Sequence, residues 1–397
     1  MPDETRTYVR THEWLTFTLD LRMAPPSLWM ALGEIRSKCE HIAGVPLDVE
    51  TASKLYRLYL TRGVQATTAI EGNTLTEEQV QQQIDGKLEL PESMAYQGQE
   101  VGNVVKACNM ILDRLAERKP FALNVALIKD FNRMILSGLP VRPDVVPGEI
   151  RMGSVVVGSY RGAPAQDCEY LLGRMCSFLT TQAAPELDAI SEAVLRAIWA
   201  HLYLAWIHPF GDGNGRTARL IEFMLLLHGG VPAPAAHLLS NHYNQTRQNY
   251  YLELDKASRS GGDVVPFFNY ALAGFVDGLK GQLRHIQRLQ HAVIWRDYVR
   301  VVLEEAKSPR DSARVVLRRL QLVLALGEAQ KPLTASGVAE LSPQLAKAYA
   351  TKTAKTLNRD LNVLKKLGLI EEKGKMFRAR TEVILAFLPP KNEQGGP

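Results

Sequence analysis

Residues 208–219 read His-Pro-Phe-Gly-Asp-Gly-Asn-Gly-Arg-Thr-Ala-Arg and form the most informative stretch of this chain. Its three glycines alternate with polar residues. Glycine adopts backbone conformations closed to other residues, so successive N–H groups can converge on an anion. The apolar run 219–228 predicts a helix whose N-terminus adds a dipole and unpaired donors at the same place. The stretch therefore predicts a phosphate-binding loop that begins with a base.

Each polar residue type in this loop has a chemical use. Asp212 is a hard oxygen ligand suited to Mg²⁺, and Arg216 and Arg219 lie one helical turn apart, where both can grip phosphates. Asn214 offers an amide donor, and His208 titrates near neutrality and can accept a proton from a hydroxyl. We expect transfer of a phosphate-containing group to a hydroxyl. The alternative is a surface turn beside a structural histidine.

The sequence around the loop is helical. Residues 187–207 are apolar on every face, which is typical of a buried central helix, and with 219–228 they would form a hairpin that presents the loop. Further helices are predicted at 27–39, 49–61, 77–83, 94–117 and 125–136. The chain is therefore expected to be mainly α.

Residues 208–219 resemble the signature of the Fic family, His-x-Phe-x-Asp/Glu-Gly-Asn-Gly-Arg-x-x-Arg, at every defined position. The resemblance implies a helical bundle that transfers AMP from ATP to a Ser, Thr or Tyr hydroxyl of a protein. It implies that His208 is the general base, that Asp212 holds Mg²⁺, that Phe210 anchors the loop, and that Arg219 binds the γ-phosphate. The ATP-binding residues it implies are Gly213, Asn214, Gly215, Arg216, Thr217, Arg219, Tyr250 and Tyr251.

Gly215 separates two chemistries within this superfamily. Doc-type toxins, which resemble kinases, carry lysine at the corresponding position. Glycine favours the orientation that exposes the α-phosphate, so AMP transfer is expected rather than phosphorylation.

An earlier segment, Thr67-Thr-Ala-Ile-Glu71-Gly72-Asn73, is similar to the inhibitory motif of many Fic proteins. The resemblance implies that Thr67 and Glu71 belong to an inhibitory helix and that Glu71 pairs with Arg219, denying the γ-phosphate its partner. Activity would then be low by default, and removal of AMP is a further activity seen in the family. The alternative is an ordinary helix end, because Gly-Asn is a common C-terminal cap.

Two further segments fit the family. Residues 154–162 form a β-branched run broken by glycines, which predicts a short hairpin. It is similar to the Fic flap that pairs with a target strand, although a plain surface hairpin is the alternative. Tyr250 and Tyr251 could cover a base, but neighbours on a helix point about 100° apart, so only one is expected to face the site.

Composition places the chain among globular proteins, with 397 residues, 46% hydrophobic and 22% charged. No secretory signal or run of membrane-spanning length is evident, so a soluble, cytoplasmic protein without membrane contact is expected. The cysteines show no metal-site spacing and are expected to be reduced; they are Cys39, Cys108, Cys168 and Cys176.

The end of the chain is basic. From Lys307 onward there are 17 Lys and Arg against 8 Asp and Glu, a net charge of +9, whereas the whole chain carries +5. Helical patterns at 314–326, 334–341 and 351–366, followed by a hairpin around Lys373-Gly374, resemble a winged helix-turn-helix. DNA contacts would then come from Lys352, Lys355, Arg359, Lys373 and Lys375. The alternative is a module for protein docking or dimerisation.

The sequence thus predicts an N-terminal helical region with an inhibitory motif at 1–110, a Fic core at 111–290, and a winged-helix-like domain at 291–390. The expected function is a self-inhibited protein adenylyltransferase that uses ATP and Mg²⁺ and modifies protein hydroxyls, its own included. A homodimer is compatible with this interpretation. The alternative function is a DNA-binding transcriptional regulator in which the Fic core senses a nucleotide.

Overall fold

A computed structural model describes residues 6–117, 123–180, 187–309, 311–329 and 331–385. The mainly helical prediction is confirmed. The helices are α1 (Tyr8–Thr11), α2 (Pro26–Gly44), α3 (Val49–Ala69), α4 (Glu77–Ile84), α5 (Ala95–Ala116), α6 (Val125–Ile135), α7 (Cys168–Thr180), α8 (Ala189–Ile207), α9 (Asn214–His228), α10 (Leu238–Gln245), α11 (Arg247–Arg259), α12 (Val265–Glu305), α13 (Ala313–Glu328), α14 (Ala335–Ala339), α15 (Pro343–Tyr349) and α16 (Ala354–Lys366). The strands are β1 (Val156–Val157), β2 (Tyr160–Arg161), β3 (Leu333–Thr334), β4 (Ile370–Lys373) and β5 (Met376–Ala379).

Helix starts follow local capping chemistry. Asp48 accepts a hydrogen bond from the Thr51 N–H at the start of α3, and Asn124 and Asp188 cap α6 and α8 in the same way. The side-chain oxygen satisfies a donor that the first helical turn leaves unpaired. Each of these three helices begins within two residues of its predicted start.

Contacts divide the chain into two compact units, Met1–Leu283 and Arg284–Pro397. The boundary predicted at residue 110 falls inside α5, which packs against α3, α6 and α9. The N-terminal region and the expected core therefore belong to one unit. The boundary predicted at residue 290 falls inside α12, a 41-residue helix that contributes to both units.

The first unit is organised around α8 and α9. Most of α8 is buried, as its apolar pattern predicts, and α9 packs along it. Between them lies the loop 208–213. The strands β1 and β2 form the predicted hairpin, paired antiparallel with Val157 opposite Tyr160.

The second unit packs α13, α14, α15 and α16 with a three-stranded antiparallel sheet of order β3-β5-β4. Its core includes Leu322, Leu345, Leu361 and Phe377. The helix expected from residue 351 begins at Ala354, because Thr353 is extended, with ψ at 154°, and occupies the N-cap. The winged-helix interpretation of this unit stays a prediction.

Within the described ranges, every helix is too short or too polar to cross a membrane.

Candidate active site

The loop between α8 and α9 is closed by its own side chains. His208 ends α8 in the left-handed region, with φ at 49°. The Asn214 side chain accepts a hydrogen bond from the Phe210 N–H (2.9 Å) and donates one to the Phe210 carbonyl (2.8 Å). Its amide therefore holds the loop in shape, and the phosphate contact predicted for Asn214 stays a prediction. Phe210 is buried, as expected of an anchor.

Asn132 supports the loop from α6. Its amide donates to the Asp212 carbonyl (2.9 Å) and accepts from the Gly148 N–H (2.9 Å). The Thr217 hydroxyl, which was expected among the ATP-binding residues, donates to the Gly213 carbonyl (2.8 Å) and is fully buried. The hydroxyl therefore stabilises the first turn of α9.

Arg216 is buried and paired. One of its terminal nitrogens lies 2.6 Å from the Glu100 carboxylate, and the other lies 3.1 Å from Asp212. Sequence reasoning missed Glu100. The sequence holds one indication of its role. Glu100 lies four residues before Val104 and seven before Ala107, so this carboxylate falls on the buried face of α5. A buried charge requires a partner, and Arg216 meets that requirement.

Arg219 is paired with Glu71 at 2.5 Å and donates to the Thr67 carbonyl at 3.0 Å. Burial would raise the pKa of Glu71, but the attraction and hydrogen bond of Arg219 outweigh it and hold the pKa below its ordinary value. Among the described residues, the Arg219 Nε and Nη1 atoms have no hydrogen-bond partner. Buried donors normally have partners, so this guanidinium retains capacity for an anion.

Gly215 lies against this pair. A Cβ atom at this position would be 2.2 Å from Glu71 Oε1 and 3.1 Å from Arg219 Nη1. No side chain fits here while the Glu71–Arg219 pair is formed. The structure thus gives Gly215 a steric role beside the chemical one inferred from the sequence.

A cavity of about 440 Å³ opens beside the loop. Its walls include the predicted site residues Glu71, His208, Asn214, Gly215, Arg219, Tyr250 and Tyr251. Five other predicted residues lie outside its walls: Thr67, Asp212, Gly213, Arg216 and Thr217. The volume falls in the range of small-ligand and cofactor sites.

His208 is held in its neutral form. Burial lowers its pKa to about 4; a hydrogen bond to the Ala205 backbone opposes this shift, and the nearby Arg151 charge adds to it. Arg151 Nε donates to the His208 carbonyl at 2.7 Å. A neutral imidazole at pH 7 is the form able to accept a proton.

Both tyrosines line the cavity, although only one was expected there. Tyr250 is buried, and its hydroxyl lies 2.8 Å from His201 Nε2. His201 Nδ1 lies 3.0 Å from the buried Glu222 carboxylate. Tyr251 is about half exposed, at 47%, and its hydroxyl donates weakly to the Ile70 carbonyl at 3.4 Å. On the side of Tyr250 the cavity wall is buried and hydrogen-bonded, whereas on the side of Tyr251 it is partly exposed to solvent.

The β1–β2 hairpin lies at the cavity. Val157, Gly158, Ser159 and Tyr160 are in its walls. The Ser159 hydroxyl donates to Asp255 of α11 at 3.0 Å. The hairpin is thus joined to the helix that carries the two tyrosines.

Asp212 is the carboxylate of the loop that could coordinate a metal ion. The Asp212 side chain is 47% exposed and accepts from the Gly213 N–H and from Arg216. Across the described ranges, no group of three or more His, Cys, Asp and Glu residues could enclose a metal ion. A single exposed carboxylate fits a Mg²⁺ ion that is bound largely through phosphates and water.

Comparison with known proteins places this site in a family. Residues 122–226 match the model of the Fic/DOC family. The protein adenylyltransferase fic-1 of Caenorhabditis briggsae is 27% identical over 237 residues, which cover 60% of this chain and 43% of that protein. The protein adenylyltransferase Fic of Nematostella vectensis is 25% identical over 239 residues, 60% of this chain and 52% of that protein. The chain thus spans about half the length of these relatives.

Solved structures share the fold. A Fic family protein from Desulfovibrio desulfuricans G20 superposes with a TM-score of 0.55 at 22% identity, covering 89% of this chain and 96% of that one. Fic-1 (residues 134–508) of Caenorhabditis elegans gives a TM-score of 0.54 at 24% identity, covering 66% and 73%. The residues that match the Fic/DOC family model, 122–226, contain the loop and both arginines, and the superposed structures show that the fold is shared.

Proposed function

We propose that this chain transfers AMP from ATP to a hydroxyl of a protein. The observation that carries the proposal is the placement of a neutral histidine and a buried arginine in the walls of one cavity. His208 supplies the base, and Arg219 supplies N–H donors that have no partner among the described residues. The relatives named protein adenylyltransferases support this chemistry.

In the proposed reaction, the target hydroxyl oxygen forms a bond to the α-phosphorus, and the bond from that phosphorus to the bridging oxygen of the β-phosphate breaks. Pyrophosphate leaves, and the hydroxyl proton goes to His208. The base acts in its neutral form, which burial maintains. General bases of this kind contribute about two to four orders of magnitude in rate.

The N-terminus of α9 would bind the phosphates of the nucleotide. Its first N–H groups point toward the loop, and the helix dipole favours negative charge there. Arg219 can form a bidentate contact with a phosphate once Glu71 withdraws. Asp212 would hold a Mg²⁺ ion that arrives with the nucleotide and neutralises phosphate charge.

Default activity is proposed to be low. The Glu71 carboxylate forms an ion pair with the Arg219 guanidinium, with Oε1 2.5 Å from Nη2. The same carboxylate lies beside Gly215 in the cavity wall. A nucleotide phosphate near Arg219 would meet that negative charge. We therefore assign to Glu71 an inhibitory role and to Thr67 a supporting one, through its carbonyl bond to Arg219.

The target is proposed to pair with the hairpin. Val156 and Val157 are 55% and 46% exposed, and β1 is paired on one side only within its two-stranded sheet. An extended segment can add to such an edge through main-chain hydrogen bonds.

The test compares wild type with Glu71→Gly, using ATP labelled at the α- or γ-phosphate and a cell lysate. We expect protein label from the α position alone, and more of it with Glu71→Gly, because Arg219 is then free. The double variant Glu71→Gly with Arg219→Ala should return labelling to a low level, as residues that share one interaction are not additive. Transfer of the γ label would contradict AMP transfer. Equal labelling by wild type and Glu71→Gly would contradict the inhibitory role alone.

A further inference from the structure

The exposed face of α16 in the second unit is basic and amide-rich. Lys355, Arg359, Asn362 and Lys366 are exposed and follow each other at helical spacing, with Asn358 beside them. Residues at i, i+4, i+7 and i+11 lie along one face of a helix. This stripe contains no acidic residue. Its side chains are of the types that contact phosphates and base edges.

The one carboxylate of α16 faces inward. Asp360 is fully buried and accepts hydrogen bonds from Arg318 Nε (2.8 Å), Arg319 Nε (3.0 Å) and the Tyr349 hydroxyl (3.0 Å). Together with Leu357, Leu361 and Leu364, which are also buried, it fixes the helix on its inner side. Consequently the outer stripe keeps its positive charge and a defined orientation.

The β4–β5 hairpin adds a second basic element. Its turn is Gly374-Lys375, both at positive φ, and Lys373 is the last residue of β4. Lys365 of α16 pairs with Glu372 of β4 at 2.7 Å, which connects the helix to the hairpin. Glu371 pairs with Arg378 at 2.5 Å. The two carboxylates of β4 are thus paired, one with Arg378 of β5 and the other with Lys365 of α16. In contrast, Lys355, Lys366 and Lys375 form no ion pair with a described residue.

We propose that α16 and the β4–β5 turn bind duplex DNA, with α16 in the major groove. A groove about 12 Å wide admits one α-helix. Lys355, Lys366 and Lys375 contact phosphates, and Asn358 and Asn362 reach base edges, where an asparagine can pair with adenine. Charge complementarity and the helix–turn–helix arrangement of α15 and α16, separated by four residues, favour duplex DNA over an acidic protein. This inference is independent of nucleotide transfer by the first unit.

The test uses the full chain and a fluorescein-labelled DNA duplex of mixed sequence, followed by anisotropy from about 50 to 200 mM KCl. The stripe variant is Lys355→Gln, Arg359→Gln and Lys366→Gln. A matched control removes the same three charges from exposed lysines of the first unit, as Lys54→Gln, Lys87→Gln and Lys106→Gln. Both variants have the same net charge. Circular dichroism confirms that each is folded.

We expect wild type and the control to bind with similar affinity and steep salt dependence. The stripe variant should bind at least about tenfold more weakly, with a salt slope lowered by about 2, because it removes the proposed phosphate contacts of Lys355 and Lys366 and each such contact contributes about one unit. Asn358→Ala with Asn362→Ala should lower the preference among duplex sequences and leave the salt slope unchanged.

Three results would overturn the proposal. The first is no binding by wild type at 50 mM KCl. The second is equal weakening of the stripe variant and the control, which would assign binding to net charge. The third is tighter binding to an RNA duplex or a polyglutamate peptide than to DNA at equal charge, which would assign the surface to another partner.

Discussion

Two buried arginine–carboxylate clusters, one in each unit, differ in the burial of their carboxylates and in what surrounds them. In the second unit, Asp360 is wholly buried and accepts three hydrogen bonds from arginine and tyrosine side chains. In the first unit, Arg219 is equally buried, yet its Nε and Nη1 have no partner among the described residues, and the Glu71 side chain is 29% exposed. The first cluster opens on a cavity, and the second fills a core. The Asp360 carboxylate holds structure, although Arg318 Nη2 also has no hydrogen-bond partner among the described residues, whereas the unpaired Arg219 nitrogens lie beside a cavity and retain capacity for a ligand.

The first cluster should matter for chemistry, and the largest effect should come from the base beside it. His208→Ala removes the proton acceptor, so AMP transfer should fall by about two to four orders of magnitude. Nucleotide binding, measured by calorimetry, should change little, because the guanidinium and loop donors remain. His41→Ala, an exposed histidine on α2, is the control and should keep full activity. Undiminished transfer by His208→Ala would exclude it as the base.

The second cluster should matter for stability. Asp360→Ala leaves two buried guanidinium groups without their shared carboxylate, and breaking a buried pair in this way costs about 3–5 kcal/mol. Urea unfolding followed by circular dichroism measures the loss. Asp311→Ala is the control, since Asp311 pairs with Arg319 alone at 3.1 Å and is 18% exposed. A loss no greater for Asp360 than for Asp311 would remove the contrast between the clusters.

A smaller effect tests whether the Glu71–Arg219 pair excludes a side chain at position 215. Gly215→Ala places a methyl group 2.2 Å from Glu71 Oε1, and we expect a loss of about 1–3 kcal/mol in the free energy of unfolding, as overpacking does. In the Glu71→Gly background the methyl group has room, so the loss should be smaller. Thermal unfolding of the four proteins gives this double-mutant cycle. Additive losses would show that Glu71 is not the obstacle.

The smallest effect concerns pH. The pKa of Glu71 is lowered on folding from its ordinary value of 4.5, so its charged form adds stability above pH 4.5, and this stability is lost as the pH falls through the folded-state pKa. The difference in Tm between wild type and Glu71→Gln should therefore be present at pH 7 and shrink as the pH falls below 4.5. Glu78→Gln, at an exposed position on α4, should show no such change. A constant Glu71 difference would mean that no ion pair with Arg219 contributes.

Local patterns predicted the starts of α2 to α6 and of α8 to within two residues, because helix starts depend on neighbours in sequence. Caps such as Asp188 and apolar runs such as 187–207 are local signals. The long-range partners were missed. Nothing near Arg216 specifies Glu100, which lies 116 residues earlier and is positioned only by the packing of α5 on α9.

The helix α12 was not among those predicted from the sequence. Its glycines Gly274 and Gly278 disfavour a helix by local propensity. In the structure they permit close packing, since a Cβ at Gly274 would be 2.1 Å from the His242 ring and one at Gly278 would be 2.9 Å from Leu238. The same residue type thus ends a helix at one position and allows two helices to approach at another.

The proposed inhibition depends on how often the end of α3 is docked against Arg219. Glu71 lies just beyond the last residue of α3 and meets Arg219 across 148 positions of sequence, so the pair forms only while that helix end is docked. Local opening of such segments costs less than global unfolding. Each 1.4 kcal/mol that stabilises the docked end would lower the open fraction about tenfold. A partner that binds the undocked segment would then act as an activator by mass action, without contacting the nucleotide.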